Sequence, residues 1–239
     1  MTNEIFSLLR CCKYFFYRKS YFSETGEDVV LKQYVDESPG RYVDIGAHHP
    51  IIGNNTFNLY IRGWSGVAVE PQTLYNLLWR TFRSRDILNN SPISSSKRVN
   101  FHYFTNSLLN TTNSKVANVH KTERKLLRTE SVNAITLESI MPAQLHPLEN
   151  FVLSLDIEGS ELDALTTLNW QTQKPRVILV ECWEKPWLKG NKLNSFLSKK
   201  QYKLQAYTGL TSVFVAKEYL NSRITLKDRL SIATGEKNE

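Results

Sequence analysis

Four short apolar runs in this chain each meet a carboxylate, and that repeated event limits the fold more than any other feature. Arg41 to Ile45 carries Asp44, Val67 to Val69 runs into Glu70, Phe151 to Leu155 into Asp156, and Val177 to Val180 into Glu181. Short apolar runs bounded by turn residues read as buried strands. A carboxylate beside a buried run is costly unless it is paired or bound to something. One such acid can be a helix cap. Four of them at strand ends point to a ligand crevice.

Helical patterns fill the gaps between these runs. Thr25 to Tyr34 reads as a helix capped by Thr25, with Asp28 as its capping-box acid. Asn55 to Arg62, Leu74 to Phe82, Thr136 to Met141, Leu162 to Leu168 and Leu193 to Lys199 also read as helices. Ile87 to Ile93 and Val99 to Phe104 are further strands. Lys203 to Tyr207 and Ser212 to Ala216 form a hairpin around Gly209. Asn89 to Ser96 and Asn106 to Ser114 are polar and read as loops. Strands alternating with helices predict an α/β fold. It has a mostly parallel seven-stranded sheet, helices on both faces, and an antiparallel edge from the C-terminal hairpin. Ligands in such sheets bind beyond the carboxyl ends of the strands.

With 239 residues, 41% of them hydrophobic and 22% charged, one globular domain is expected. It spans residues 21–220, after an N-terminal basic amphipathic helix (1–20) and before a polar tail (221–239). Arg10, Lys13, Arg18 and Lys19 interrupt the apolar N-terminus, which argues against a signal peptide. That helix packs on the domain or touches a membrane surface. Three cysteines without a Cys-x-x-Cys pair imply neither zinc nor disulfides and fit the cytoplasm, including the inner membrane face. The formal charge is +7, but the cations are scattered, so no nucleic acid partner is expected. A phosphate-bearing acceptor would suit a basic surface.

Gly46 follows the first strand, where a tight turn and a close backbone approach need a residue without Cβ. Glu70 ends the second, where an acid can accept hydrogen bonds from both hydroxyls of a ribose. A nucleoside cofactor follows. A dinucleotide does not, because Ala47, His48 and His49 stand where the later glycines of Gly-x-Gly-x-x-Gly belong.

These segments resemble the FkbM-type methyltransferases. The matching stretches are Ser23-Glu-Thr-Gly-Glu-Asp28, Tyr42-Val-Asp-Ile-Gly-Ala-His-His-Pro50, Asn55-Thr56, Gly63-Trp-Ser-Gly66 with Glu70-Pro71, Arg85-Asp86-Ile87, and Leu153-Ser-Leu-Asp-Ile-Glu-Gly-Ser-Glu161. The resemblance implies a Rossmann-like class I methyltransferase fold. It also implies S-adenosylmethionine-dependent O-methylation of a hydroxyl, on a sugar of a glycan or glycoconjugate or on a natural product. RNA or protein acceptors, and a non-catalytic scaffold, are the competing readings. The chain departs from the family at Glu24, where glutamine is common, and at Asn54, where serine is common.

On this resemblance Asp44, Gly46, Ala47, Glu70, Pro71 and Asp156 are expected to bind the cofactor. Asp156 is the expected reacting centre, with Glu158, His48 and His49 as its catalytic partners. An aspartate near its ordinary pKa of about 3.9 is a poor base for an alcohol. The remedies are burial of Asp156, a histidine (His48 or His49) that takes the proton, or a magnesium ion held by Asp156 and Glu181. Glu161 is expected to serve the following helix N-terminus, and Trp64 to lie in the core. Trp183 and Trp187 either stack on a sugar ring or pack in the interior.

Overall fold

A computed structural model describes residues 21–223. The expectations for the N-terminal helix and for most of the C-terminal tail lie outside the described residues. Nine strands are described: β1 (Arg41–Ile45), β2 (Ser65–Val69), β3 (Ile87–Asn89), β4 (Arg98–Phe104), β5 (Leu126–Asn133), β6 (Phe151–Leu155), β7 (Val177–Glu181), β8 (Tyr202–Tyr207) and β9 (Thr211–Ala216). Seven form one sheet in the order β3-β2-β1-β6-β7-β9-β8. The pairs among β3, β2, β1, β6 and β7 are parallel, while β9 runs antiparallel to both β7 and β8. This is the α/β sheet expected from the sequence, closed by the C-terminal hairpin.

The strands read as apolar runs because both faces are covered. Val43, Ile45, Leu153, Leu155, Ile178 and Val180 face one core, filled by Leu137, Leu165 and Leu197 from the helices Leu137–Ile140, Glu161–Thr166 and Lys192–Lys199. The alternate residues Tyr42, Val152, Val177 and Leu179 face a second core with Leu31, Leu59 and Trp64. Leu31 and Leu59 come from the helices Glu27–Leu31 and Phe57–Ile61. The period of two along each strand and the helices on both faces are thus one fact.

Three expectations need correction. The strand proposed for Ile87 to Ile93 stops at Asn89, and Ile93 makes only an isolated bridge to Ile135. The helix proposed for Thr25 to Tyr34 runs from Glu27 to Leu31, and its N-cap is Gly26 rather than Thr25. Asp28 does not close a capping box: its carboxylate accepts from Phe22 N, Ser23 Oγ and Asn58 Nδ2 at 2.8–3.0 Å. The strand expected at Val99 to Phe104 is present, and it lies outside the main sheet. It belongs to β4, which pairs antiparallel with β5 as a separate two-stranded ribbon.

Chain order and sheet order together locate the crevice. The chain builds β1, β2 and β3 outward to one side, then returns to place β6 on the other side of β1. Such a switch point opens a crevice at the carboxyl ends of the two central strands.

Candidate active site

The register lines up the strand ends. Ile45 pairs with Val69 and Leu155, and Leu155 pairs with Val180. The next residue of each strand, Gly46, Glu70, Asp156 and Glu181, therefore stands in one row along the sheet edge. All four line a single cavity of about 700 Å³, as do Asp44, Ala47, His48, His49, Pro71 and Glu158. That volume falls within the range of roughly 300–1,000 Å³ usual for small-molecule sites.

Gly46 makes the row possible. Its φ is +76°, and a Cβ there would lie 1.7 Å from the carbonyl oxygen of Asp156. The close approach expected for a ligand is thus already made by the chain's own backbone at the junction of β1 and β6.

Asp44 is buried, and its Oδ2 accepts from Asn54 Nδ2 at 3.1 Å and Thr56 Oγ1 at 2.8 Å. Burial pushes its pKa up, against the pull of these donors and of Arg83. The departure from the family pattern at Asn54 therefore falls on a residue that holds Asp44 and also lines the cavity. Glu24, the other departure, does line the cavity.

Glu70 is clamped by two backbone donors, His48 N to Oε2 at 2.9 Å and Gln72 N to Oε1 at 2.8 Å. Burial outweighs them and raises its pKa to about 7. Each oxygen keeps a lone pair for a further donor.

The two histidines are not equivalent. His49 Nδ1 accepts from Ile51 N at 3.1 Å and Ile52 N at 3.0 Å, so that nitrogen is committed to the loop. His48 sits at φ +43°, and its carbonyl accepts from Trp79 Nε1 at 2.9 Å. Burial holds its imidazole down to a pKa of about 4. So weak a base is a poor acceptor for a hydroxyl proton, and its ring Nε2 meets Ser107 Oγ at 2.9 Å.

Asp156 behaves differently. Burial, joined by the charges of Glu161, Glu24, Asp44 and Glu27, raises its carboxyl to about 7. Glu158 rises to about 8 through burial and the charge of Asp156, and Glu181 to about 10 through burial and the charges of Asp156 and Glu158. A carboxyl raised in this way matches a hydroxyl proton better than a free aspartate does. Glu161 stands behind this group, where its Oε1 accepts from Ile157 N at 3.0 Å and Gly159 N at 3.1 Å.

Two residues that the sequence did not reveal complete the site. Arg83 is 1% exposed and reaches Asp86 Oδ2 at 2.7 Å, Asn54 Oδ1 at 3.0 Å, Thr56 Oγ1 at 2.9 Å and Pro50 O at 2.9 Å. It ties the loop after β1 to the end of the helix Asn76–Phe82, and through Asn54 and Thr56 it positions Asp44. Replacing Arg83 by Met strips Asp86 of its partner and should cost about 3–5 kcal/mol. Thermal unfolding checks this. Adding Asp86→Asn to Arg83→Met should recover part of the loss, because no buried charge is then left alone. His120, on the helix Ser114–Glu123, lies 3.8 Å from Glu158 Oε2 through Nε2, while its Nδ1 meets Leu109 O at 3.0 Å.

With the strand-end acids in place, the family pattern can be weighed. The Methyltransferase FkbM domain matches residues 44–204, two thirds of the chain. The chain belongs to the FkbM methyltransferase domain family. The matched stretch runs from Asp44 to Leu204 and so contains every strand-end acid of the row. A crystal structure of methyltransferase FkbM from Methylobacillus flagellatus KT is similar at 15% identity and a TM-score of 0.48. The alignment covers 81% of this chain and 48% of that one, so the FkbM chain described here spans about half of that protein's length. None of the curated proteins compared matches it. Among the described residues no helix is long and apolar enough to cross a membrane.

Proposed function

We propose that this chain is an S-adenosylmethionine-dependent O-methyltransferase whose acceptor is a hydroxyl on an uncharged sugar of a glycan or glycoconjugate. The observation that carries the reading is the composition of the cavity. Glu24, Glu27, Asp44, Glu70, Asp156, Glu158 and Glu181 line it, and among the described residues no lysine or arginine does. Such a lining suits a sulfonium cation and disfavours an acceptor that carries phosphate. The chain's +7 charge lies elsewhere, so the phosphate-bearing acceptor suggested by bulk composition gives way to a neutral one, and a phosphodiester fits poorly.

Glu70 takes the ribose hydroxyls with its remaining lone pairs, and Gly46, Ala47 and Pro71 form the wall beside it. The acceptor oxygen attacks the methyl carbon in line. The new O–C bond forms as the C–S bond breaks, the electron pair stays on sulfur, and the hydroxyl proton passes to the carboxylate group at Asp156. Alignment supplies much of the rate. Trp183 and Trp187 favour a sugar. They are 47% and 57% exposed rather than packed inside, and they sit in the loop that follows Glu181. Flat aromatic faces beside a polar cavity suit the C–H face of a sugar ring.

The test is calorimetry with S-adenosylmethionine, followed by transfer of labelled methyl to neutral oligosaccharides. Glu70 has its pKa at about 7, so it is ionised and able to accept hydroxyl protons only above that pH. Cofactor affinity should therefore fall roughly tenfold between pH 8 and pH 6. Glu70→Gln should weaken binding at pH 8 and flatten the profile. Absence of binding at any pH would remove the cofactor reading altogether.

A further inference from the structure

Three of the cavity's acids crowd together on one wall. Asp156, Glu158 and Glu181 each offer a carboxylate oxygen, and these oxygens all lie within 4.8 Å of one another. Like charges this close repel, and among the described residues the cavity lining supplies no lysine or arginine to offset them. A second observation points the same way. Glu181 is only 8% exposed, and its Oε2 is buried without any hydrogen-bond partner. Trp183 donates to the same carboxyl, but Oε2 itself is left unsatisfied, and such a buried oxygen is costly and calls for a further partner.

We propose that Asp156, Glu158 and Glu181 form a binding site for a hard divalent cation. Three carboxylate oxygens are the donor set that such ions prefer. In an octahedron around magnesium, opposite oxygens stand about 4.2 Å apart, and around calcium about 4.8 Å. Adjacent oxygens in the same shells stand about 3.0 and 3.4 Å apart, so a spread of up to 4.8 Å suits either ion once the three side chains close in. Glu158 extends the pair expected from the strand ends to three, enough to hold an ion with positions left for water. All three residues line the cavity, so those positions face it. A substrate hydroxyl can replace one of the waters and be oriented and acidified there. That last role rests on the methyltransferase reading; the cation site itself does not.

The test uses the full-length protein stripped with chelator and titrated with Mn²⁺, free Mn²⁺ being followed by electron paramagnetic resonance. One saturable site is expected, and Mg²⁺ and Ca²⁺ should compete for it. Glu181→Gln and Glu158→Gln should each weaken it about tenfold or more. Both remove a like charge from a crowded group, so both should fold. Glu24→Gln changes an exposed acid of the same cavity outside the group and should leave affinity within about threefold. Lack of saturable binding at millimolar Mn²⁺, or binding indifferent to Glu181→Gln, overturns the proposal. S-adenosylmethionine binding is measured on the same stripped sample. Lost cation binding with intact cofactor binding then defeats this inference alone, whereas cation binding without cofactor binding keeps the site and defeats the methyltransferase reading.

Discussion

An Asp156→Asn protein should transfer methyl groups roughly 100- to 1,000-fold more slowly than the wild type, the usual range for loss of an acid–base group. Asparagine keeps the shape and the hydrogen-bonding oxygen of aspartate but cannot take a proton. Cofactor affinity, carried by Glu70 at the end of β2, two strands away, should change little. Stability should move in the opposite direction. Asp156 is driven up to a pKa of about 7 by burial and by four other carboxylates, so removing its charge relieves repulsion. A slower enzyme with an equal or higher melting temperature is the expected pair of results. A slower enzyme that also melts early would mean that Asp156 holds the fold rather than the reaction.

Gly46→Ala should fail for a different reason. The new methyl carbon would sit 1.7 Å from the carbonyl oxygen of Asp156, and that oxygen is backbone at the centre of the sheet. Its neighbours are fixed as well: Gly46 N donates to Val69 O at 2.9 Å and Asp156 N to Ile45 O at 2.9 Å. Relief requires the carboxyl ends of β1 and β6 to separate. The left-handed φ of +76° adds about 1 kcal/mol for any residue with a Cβ. Together these should cost about 5 kcal/mol or more, comparable with the whole stability of many domains. Circular dichroism on heating should show either no cooperative transition or one lowered by about 10 °C or more. A variant that melts within a degree or two of the wild type would show that the strand ends do not meet as described.

Legibility from sequence follows burial. β1, β6 and β7 are covered on both faces, so each declares itself as a mostly apolar run, and the acids within or just after them stand out by contrast. β5 shows the reverse. Leu126 to Asn133 is mostly exposed, and Arg128, Thr129, Glu130 and Ser131 give no apolar alternation to read. The helix Ser114–Glu123 buries only Ala117 and His120, which leaves no stripe. Arg83 was hidden for a third reason. An arginine is ordinarily taken for a solvated residue, and only the folded chain shows it buried among Asp86, Asn54, Thr56 and Tyr42. At the site, the acids were legible because their chemistry is local. The neighbour that matters for Glu158, His120, and the loop commitment of His49 were not, because both depend on where other segments pass.

The ribbon of β4 and β5 enters the chain after β3 and leaves it before β6, and no strand of the main sheet pairs with it. Its neighbouring loop nevertheless supplies Asn106 to Thr112, which roof the cavity opposite the strand-end acids. That loop is tied to the strand ends by side chains and not by strand pairing: Ser107 Oγ meets His48 Nε2 at 2.9 Å and Thr111 Oγ1 donates to Glu158 O at 2.8 Å. Insertions or replacements in the roof leave every register of the seven-stranded sheet as it was, so such a scaffold can acquire a new clientele of substrates while its reaction stays the same.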